Sequence, residues 1–256
     1  MRRDSKTSTD LFWEKRAREL PDSRKINIDD LAQRQIENDF ITAHLSKGND
    51  VLEVGCGNGF LTTVLRQHVR HVDGFDFSEG MIAHAKEFAG ENNNRFFHGS
   101  VLDPKAVTKQ YDVVVCVRVL INLKDLDEQR AAVQNLKSWV KPGGKLILVE
   151  GYKDGFEALS ALRTESGLPP VEPAAINFYS YFADLDPVGK DWTLVAKWNS
   201  GLFDVLTRVT YPLLVGPENA TGPGDFHDKV LPLARAFKGQ ELERFGRLRG
   251  VVITKH

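Results

Sequence analysis

An apolar run that breaks into glycine at three alternate positions, Val51-Leu52-Glu53-Val54-Gly55-Cys56-Gly57-Asn58-Gly59, constrains this chain more than any other stretch. Its Val- and Leu-rich start reads as a strand, and the apolar-periodic Phe60, Leu61, Val64 and Leu65 that follow read as a helix. Glycines between the two allow φ > 0 and let a ligand approach with no Cβ in the way, while the opening helical turn offers unpaired N–H groups. A ligand is therefore expected across this turn.

Further strands are expected at 71–76, 95–98, 111–117, 145–150, 192–196 and 248–254, with helices at 79–88 and 127–140. Strand four is an unbroken β-branched run, the pattern of a parallel strand buried on both faces. Strands alternating with helices imply right-handed crossovers, so the expected fold is α/β: a doubly wound, mostly parallel seven-stranded sheet. Before it, helices are expected at 10–20 and 29–45, the second capped by Asp29 or Asp30. Residues 1–47 thus form a helical leader that either covers a sheet face or acts as a lid, with Trp13 and Arg24 reaching inward. Residues 48–150 form the ligand-binding core, and 151–256 supply the late strands with an inserted helical cap. Within that cap, 151–190 reads as loop and helix, and 199–246 as helix interrupted by Pro212, Pro217 and Gly222-Pro223-Gly224.

A chain of 256 residues with net charge −1 has no basic bias suited to nucleic acid; the basic stretches 1–3 and 244–249 read as solvated faces. The N-terminus lacks an apolar core, and no apolar run approaches the roughly 18 residues that span a bilayer, so the expected location is cytoplasmic. Two cysteines, Cys56 and Cys116, build no disulfide framework, and no Cys/His cluster has zinc spacing. No metal is expected.

Residue identity narrows the ligand. A triphosphate-binding loop needs Lys-Ser/Thr after the last glycine, where this chain has Phe60-Leu61, and a dinucleotide fingerprint needs a third glycine where Phe60 stands. Asp76, 17 positions after Gly59, ends the second strand and can accept from both hydroxyls of a ribose or cap the next helix.

The series 51–59, Asp76, Gly99-Ser100-Val101, 111–123 and 136–150 with its Lys141-Pro142-Gly143-Gly144 turn resembles the class I S-adenosylmethionine-dependent methyltransferases over about residues 45–150. The resemblance implies S-adenosylmethionine as cofactor, held by Glu53, Gly55, Cys56, Gly57, Gly59, Asp76, Phe77, Ser100, Val101 and Cys116. Ser100 stands where such proteins commonly carry an acid toward adenine, so its hydroxyl or Asp103 is expected there. Arg24 and Arg34 are candidates for the methionyl end. Residues 118–123 and the run Glu150, Asp154-Gly155, Leu162-Arg163, Gly167-Leu168 and Asn177 look like a bacterial glycan- and small-molecule-tailoring subgroup. A small-molecule or saccharide acceptor, methylated at oxygen, is the expectation this implies; methylation at nitrogen, or cofactor binding without methyl transfer, are the alternatives.

Methyl transfer to oxygen needs alignment, exclusion of water and removal of a proton. Sites in open parallel sheets lie outside the carboxyl ends of the strands, which is where Arg118 and Glu150 fall. Glu150, Tyr179 and His227 are the catalytic candidates, His227 in a loop of the cap. Arg118 and Asn122 are candidates for the acceptor, Arg118 alternatively forming an ion pair with Glu150 or Asp112.

Overall fold

Successive side chains along the central strands point to opposite faces of the sheet, and both sets are apolar. Leu52, Val54, Val114, Leu146, Leu148, Val251 and Ile253 join Ala132, Val133 and Leu136 in one buried layer. Val51, Val113, Val115, Ile147, Val149 and Val252 join Ile41 and Leu65 in the other. The computed structural model describes residues 8–19, 29–90, 92–237 and 239–256.

The strands are β1 (Asp50–Val54), β2 (His71–Asp76), β3 (Asn94–His98), β4 (Tyr111–Val117), β5 (Val140–Gly151), β6 (Trp192–Asn199) and β7 (Leu248–Lys255). They form one sheet in the order β3-β2-β1-β4-β5-β7-β6. β1 to β5 pair in parallel, whereas β7 runs antiparallel to both β5 and β6. The start of β7 therefore lies at the same sheet edge as the ends of the other strands, with Leu248 opposite Gly151.

The helices are α1 (Ser8–Glu19), α2 (Leu31–Thr42), α3 (Phe60–Leu65), α4 (Glu79–Ala89), α5 (Leu126–Ser138), α6 (Lys153–Glu165), α7 (Phe182–Leu185), α8 (Gly201–Val205), α9 (Tyr211–Val215) and α10 (Asp225–Ala236). Side-chain oxygens of Asp30, Ser78 and Asp125 accept from Gln33, Met81 and Glu128 N–H and so cap α2, α4 and α5. Among the described residues no helix is long and apolar enough to cross a membrane.

Two local expectations differ from the structure. The Lys141-Pro142-Gly143-Gly144 segment lies within β5 as a bulge, since Tyr111 pairs with Val140 and Val113 with Lys145. Pro212 does not interrupt the cap helix: a widened turn over Leu206–Thr210, closed by Tyr211 N–H to Leu206 C=O, carries the chain from α8 into α9. Proline withholds a donor from the carbonyl four residues back and crowds it. That carbonyl, of Arg208, accepts instead from the guanidinium of Arg163.

Candidate functional site

β1 leaves the sheet through a turn that glycine alone holds without strain. Gly55, Gly57 and Gly59 have φ of +68°, +53° and +79°. A Cβ on Gly55 would stand 2.3 Å from Cγ2 of Val119, just past the end of β4. Asp76 ends β2 beside this turn, 6% exposed, with one oxygen accepting from Gly57 N–H at 2.9 Å and the other from Ser78 N–H at 2.9 Å. Burial pushes its pKa up to about 6, against the pull of those two hydrogen bonds.

A cavity of about 900 Å³ opens over this edge. Of the residues expected at a cofactor, Glu53, Gly55, Cys56, Gly57, Asp76, Phe77, Ser100 and Val101 line it, as do Arg118, Asn122 and Tyr179. Arg34 lines it too, whereas Arg24 lies outside the described residues. Asp103 is exposed and accepts from Lys105 N–H at 2.9 Å, so it turns its own loop and does not line the cavity. Gly59 stands behind the lining, at the start of α3.

Glu53 is buried and accepts from the Thr62 hydroxyl, and burial raises its pKa to about 8. Arg34 stacks over the ring of Phe60 at 4.3 Å. Burial and the neighbouring charge of Arg118 lower its pKa to about 10, opposed by Glu37. Arg118 takes a left-handed backbone, φ +54°, and pairs with Glu37 of α2 in place of Glu150 or Asp112. Asp112 is engaged elsewhere, with Lys141 at 2.7 Å. Helix spacing offered no signal for Glu37, because nothing local marks the residue that a distant arginine will meet.

The three catalytic candidates separate. Tyr179 faces the cavity, its hydroxyl accepting from Asn177 Nδ2 at 2.9 Å and its ring 4.5 Å from that of Phe156. Glu150 is 1% exposed and outside the lining. Its carboxylate accepts from Val119 and Leu120 N–H at 2.8 and 2.9 Å and from Ile121 N–H at 3.4 Å. Glu150 thus fastens the turn Leu120–Asn122 that carries the chain away from β4, and burial raises its pKa to about 8. His227 is not in a loop: it is buried in α10, against Phe203 and Tyr211 and 3.7 Å from Asp30, away from the cavity lining. Cys116 also lies beneath the lining, its thiol 3.9 Å from Glu150, where alternation along β4 turns it into the core.

Residues from both flanks close the cavity. Phe12, Trp13 and Arg16 of α1 line one wall, and Trp13 Nε1 donates to Asn122 Oδ1 at 2.9 Å. Asn122 Nδ2 in turn donates to the Arg118 carbonyl at 2.7 Å, so both ends of that amide are engaged. Phe156, Ile176, Asn177 and Arg247 also line the cavity, and β4 and β5 stand between the glycine turn after β1 and the start of β7 that follows Arg247. Arg247 sits in the 244–249 basic stretch that reads as a solvated face; only the reversed direction of β7 brings it to this edge. Among the described residues no group of three His, Cys, Asp or Glu is placed to hold a metal ion.

Residues 51–144 match a family model described as "Methyltransferase domain". A ubiquinone biosynthesis O-methyltransferase of Coxiella burnetii is 35% identical over 104 residues, covering 40% of this chain and 43% of the relative. One of Rickettsia akari is 31% identical over 106 residues, 41% of each. The matched segment thus spans about two fifths of these curated relatives. Among solved structures, the N-methyltransferase NodS from Bradyrhizobium japonicum with S-adenosyl-L-homocysteine aligns over 97% of this chain and 99% of its own, at TM-score 0.58 and 16% identity. A magnesium protoporphyrin IX methyltransferase from Synechocystis, with the same ligand, aligns over 97% and 95%, at TM-score 0.58 and 19% identity.

Proposed function

We propose that this chain, whose residues 51–144 match a methyltransferase-domain model, is a class I S-adenosylmethionine-dependent methyltransferase that transfers a methyl group from S-adenosylmethionine to an oxygen of a ring-bearing small molecule, aromatic or saccharide. The observation that carries this reading is one cavity lined both by the glycine turn with Asp76 and by residues that follow position 150, among them Phe156, Tyr179 and Arg247.

The donor set fits the cofactor. A carboxylate has about four lone-pair sites. Two of them at Asp76 are taken by Gly57 and Ser78 N–H, which leaves sites for two ribose hydroxyls. Ser100 and Val101 face the base, and Arg34 supplies a cation for the amino-acid carboxylate. When bound, the cofactor supplies an electrophilic methyl on sulfonium.

The chain's own residues then have three tasks. Trp13 and its neighbours on α1 exclude water as a lid, tied down by the Asn122 bond. Phe156 and Tyr179 orient the ring of the acceptor. Tyr179, whose hydroxyl oxygen accepts from Asn177 Nδ2, is the candidate to hydrogen-bond the acceptor's hydroxyl and orient it for transfer. Oxygen as acceptor atom is supported by the O-methyltransferase relatives.

Calorimetry with S-adenosylhomocysteine tests the reading. Binding is expected, and Asp76→Ala should weaken it about tenfold or more, the loss of hydrogen bonds to a charged group. Unchanged affinity in that variant would refute the ribose assignment. Transfer of labelled methyl from cofactor to a metabolite pool separates an enzyme from a protein that only binds.

A further inference from the structure

The cavity lining that follows position 150 holds a cation that the fold has fixed in place. Arg247 precedes β7, and its Nε and Nη2 both donate to Asp204 Oδ1, at 3.0 and 2.8 Å. Asp204 is fully buried; its other oxygen accepts from Ser200 Oγ and Arg247 N–H, and Oδ1 also accepts from Arg208 Nε at 3.1 Å. Arg208 continues to Asp30 at 3.8 Å. Charges along this chain alternate from Asp30 to Arg208 to Asp204 to Arg247, and the end that lines the cavity is the positive one.

The carboxylate grips one edge of the guanidinium and leaves Nη1 with no hydrogen-bond partner among the described residues. The group also lies over the ring of Phe156 at 5.5 Å, and that ring meets Tyr179. A planar cation over one aromatic ring that is itself packed on a second, pre-ordered by a buried acid, matches a ligand with an acidic group attached to a ring. A solvated arginine would need no buried carboxylate to hold it.

We propose that Arg247 recognises a carboxylate-type anion on the methyl acceptor, so that the substrate is a ring-bearing acid. This rests on the acceptor lying against the lining residues that follow position 150, as in the function proposed above. Asp204 is the positioning residue, acting on the ligand only through Arg247.

The test uses matched acid and amide pairs, 4-hydroxybenzoate with 4-hydroxybenzamide and glucuronate with glucuronamide, titrated into the full chain saturated with S-adenosylhomocysteine. The acid of at least one pair should bind about tenfold or more tighter than its amide, the size expected of a hydrogen bond to a charged group. That preference should vanish in Arg247→Met and shrink in Arg247→Lys, which keeps the charge and loses the fork. Equal binding within both pairs, no binding by either acid, or a preference that survives in Arg247→Met would overturn the proposal. The wild-type comparison needs no variant, so it stands even if Arg247→Met fails to fold around an unpaired Asp204. S-adenosylhomocysteine affinity is measured alongside: its loss in wild type would overturn the cofactor reading, while the acid preference is read separately on the unsaturated protein.

Discussion

Three buried carboxyls at the ends of the central strands, Glu53, Asp76 and Glu150, do different things with the same group. Asp76 and Glu150 accept backbone N–H groups, and Glu53 accepts a hydroxyl. Burial raises the pKa of Glu53 and Glu150 to about 8. Between the ordinary carboxyl range and pH 8, the folded state holds protons that the unfolded chain has released, so these groups make stability fall as pH rises through that window. Glu150→Gln removes the titration and turns an amide NH2 toward three N–H donors. It should cost about 1–3 kcal/mol by urea unfolding near pH 5. That gap should narrow at pH 8, because wild type alone loses stability over the interval. A gap that is flat in pH would show that Glu150 is ionised throughout. Asp76 and the glycines were legible from spacing, because a turn that binds a nucleoside needs those types in that order. Glu150 was legible as a strand-end acid but not in its role, which depends on where the 119–121 amides fold back.

Elements formed where local chemistry agreed with packing. The capping residues Asp30, Ser78 and Asp125 precede their helices, and β4 was legible as a two-sided buried strand from composition alone. Prolines misled, because proline's cost depends on what its neighbours do. Pro212 is accommodated by the widened turn before it and by Arg163, which takes the freed carbonyl of Arg208 while its Nε binds the Pro169 carbonyl at 2.6 Å. Arg163→Met should therefore destabilise the protein by about 1 kcal/mol in urea, through a carbonyl left unpaired. Hydrogen exchange should rise first in the α8–α9 segment; a rise spread evenly over the sheet would contradict this local account.

At the scale of the whole molecule, the last strand decides the architecture. β7 is inserted between β5 and β6, so it is an interior strand supplied by the end of the chain. Deleting residues 248–256 should abolish cooperative unfolding monitored by circular dichroism, since it removes Val251, Val252 and Ile253 from both core layers. A truncated chain that still unfolds in one sharp transition would show that the five parallel strands suffice. The sequence alone determined the parallel core, the glycine turn and the acid that follows it, because each is encoded in adjacent residues by periodicity and backbone freedom. Tertiary structure alone decided what faces the cavity from outside that core: Glu37 against Arg118, Trp13 against Asn122, and Arg247 held by Asp204. Those contacts join residues far apart in the chain, and no local pattern encodes a partner that only the reversal of β7 and the return of the flanking helices bring into reach.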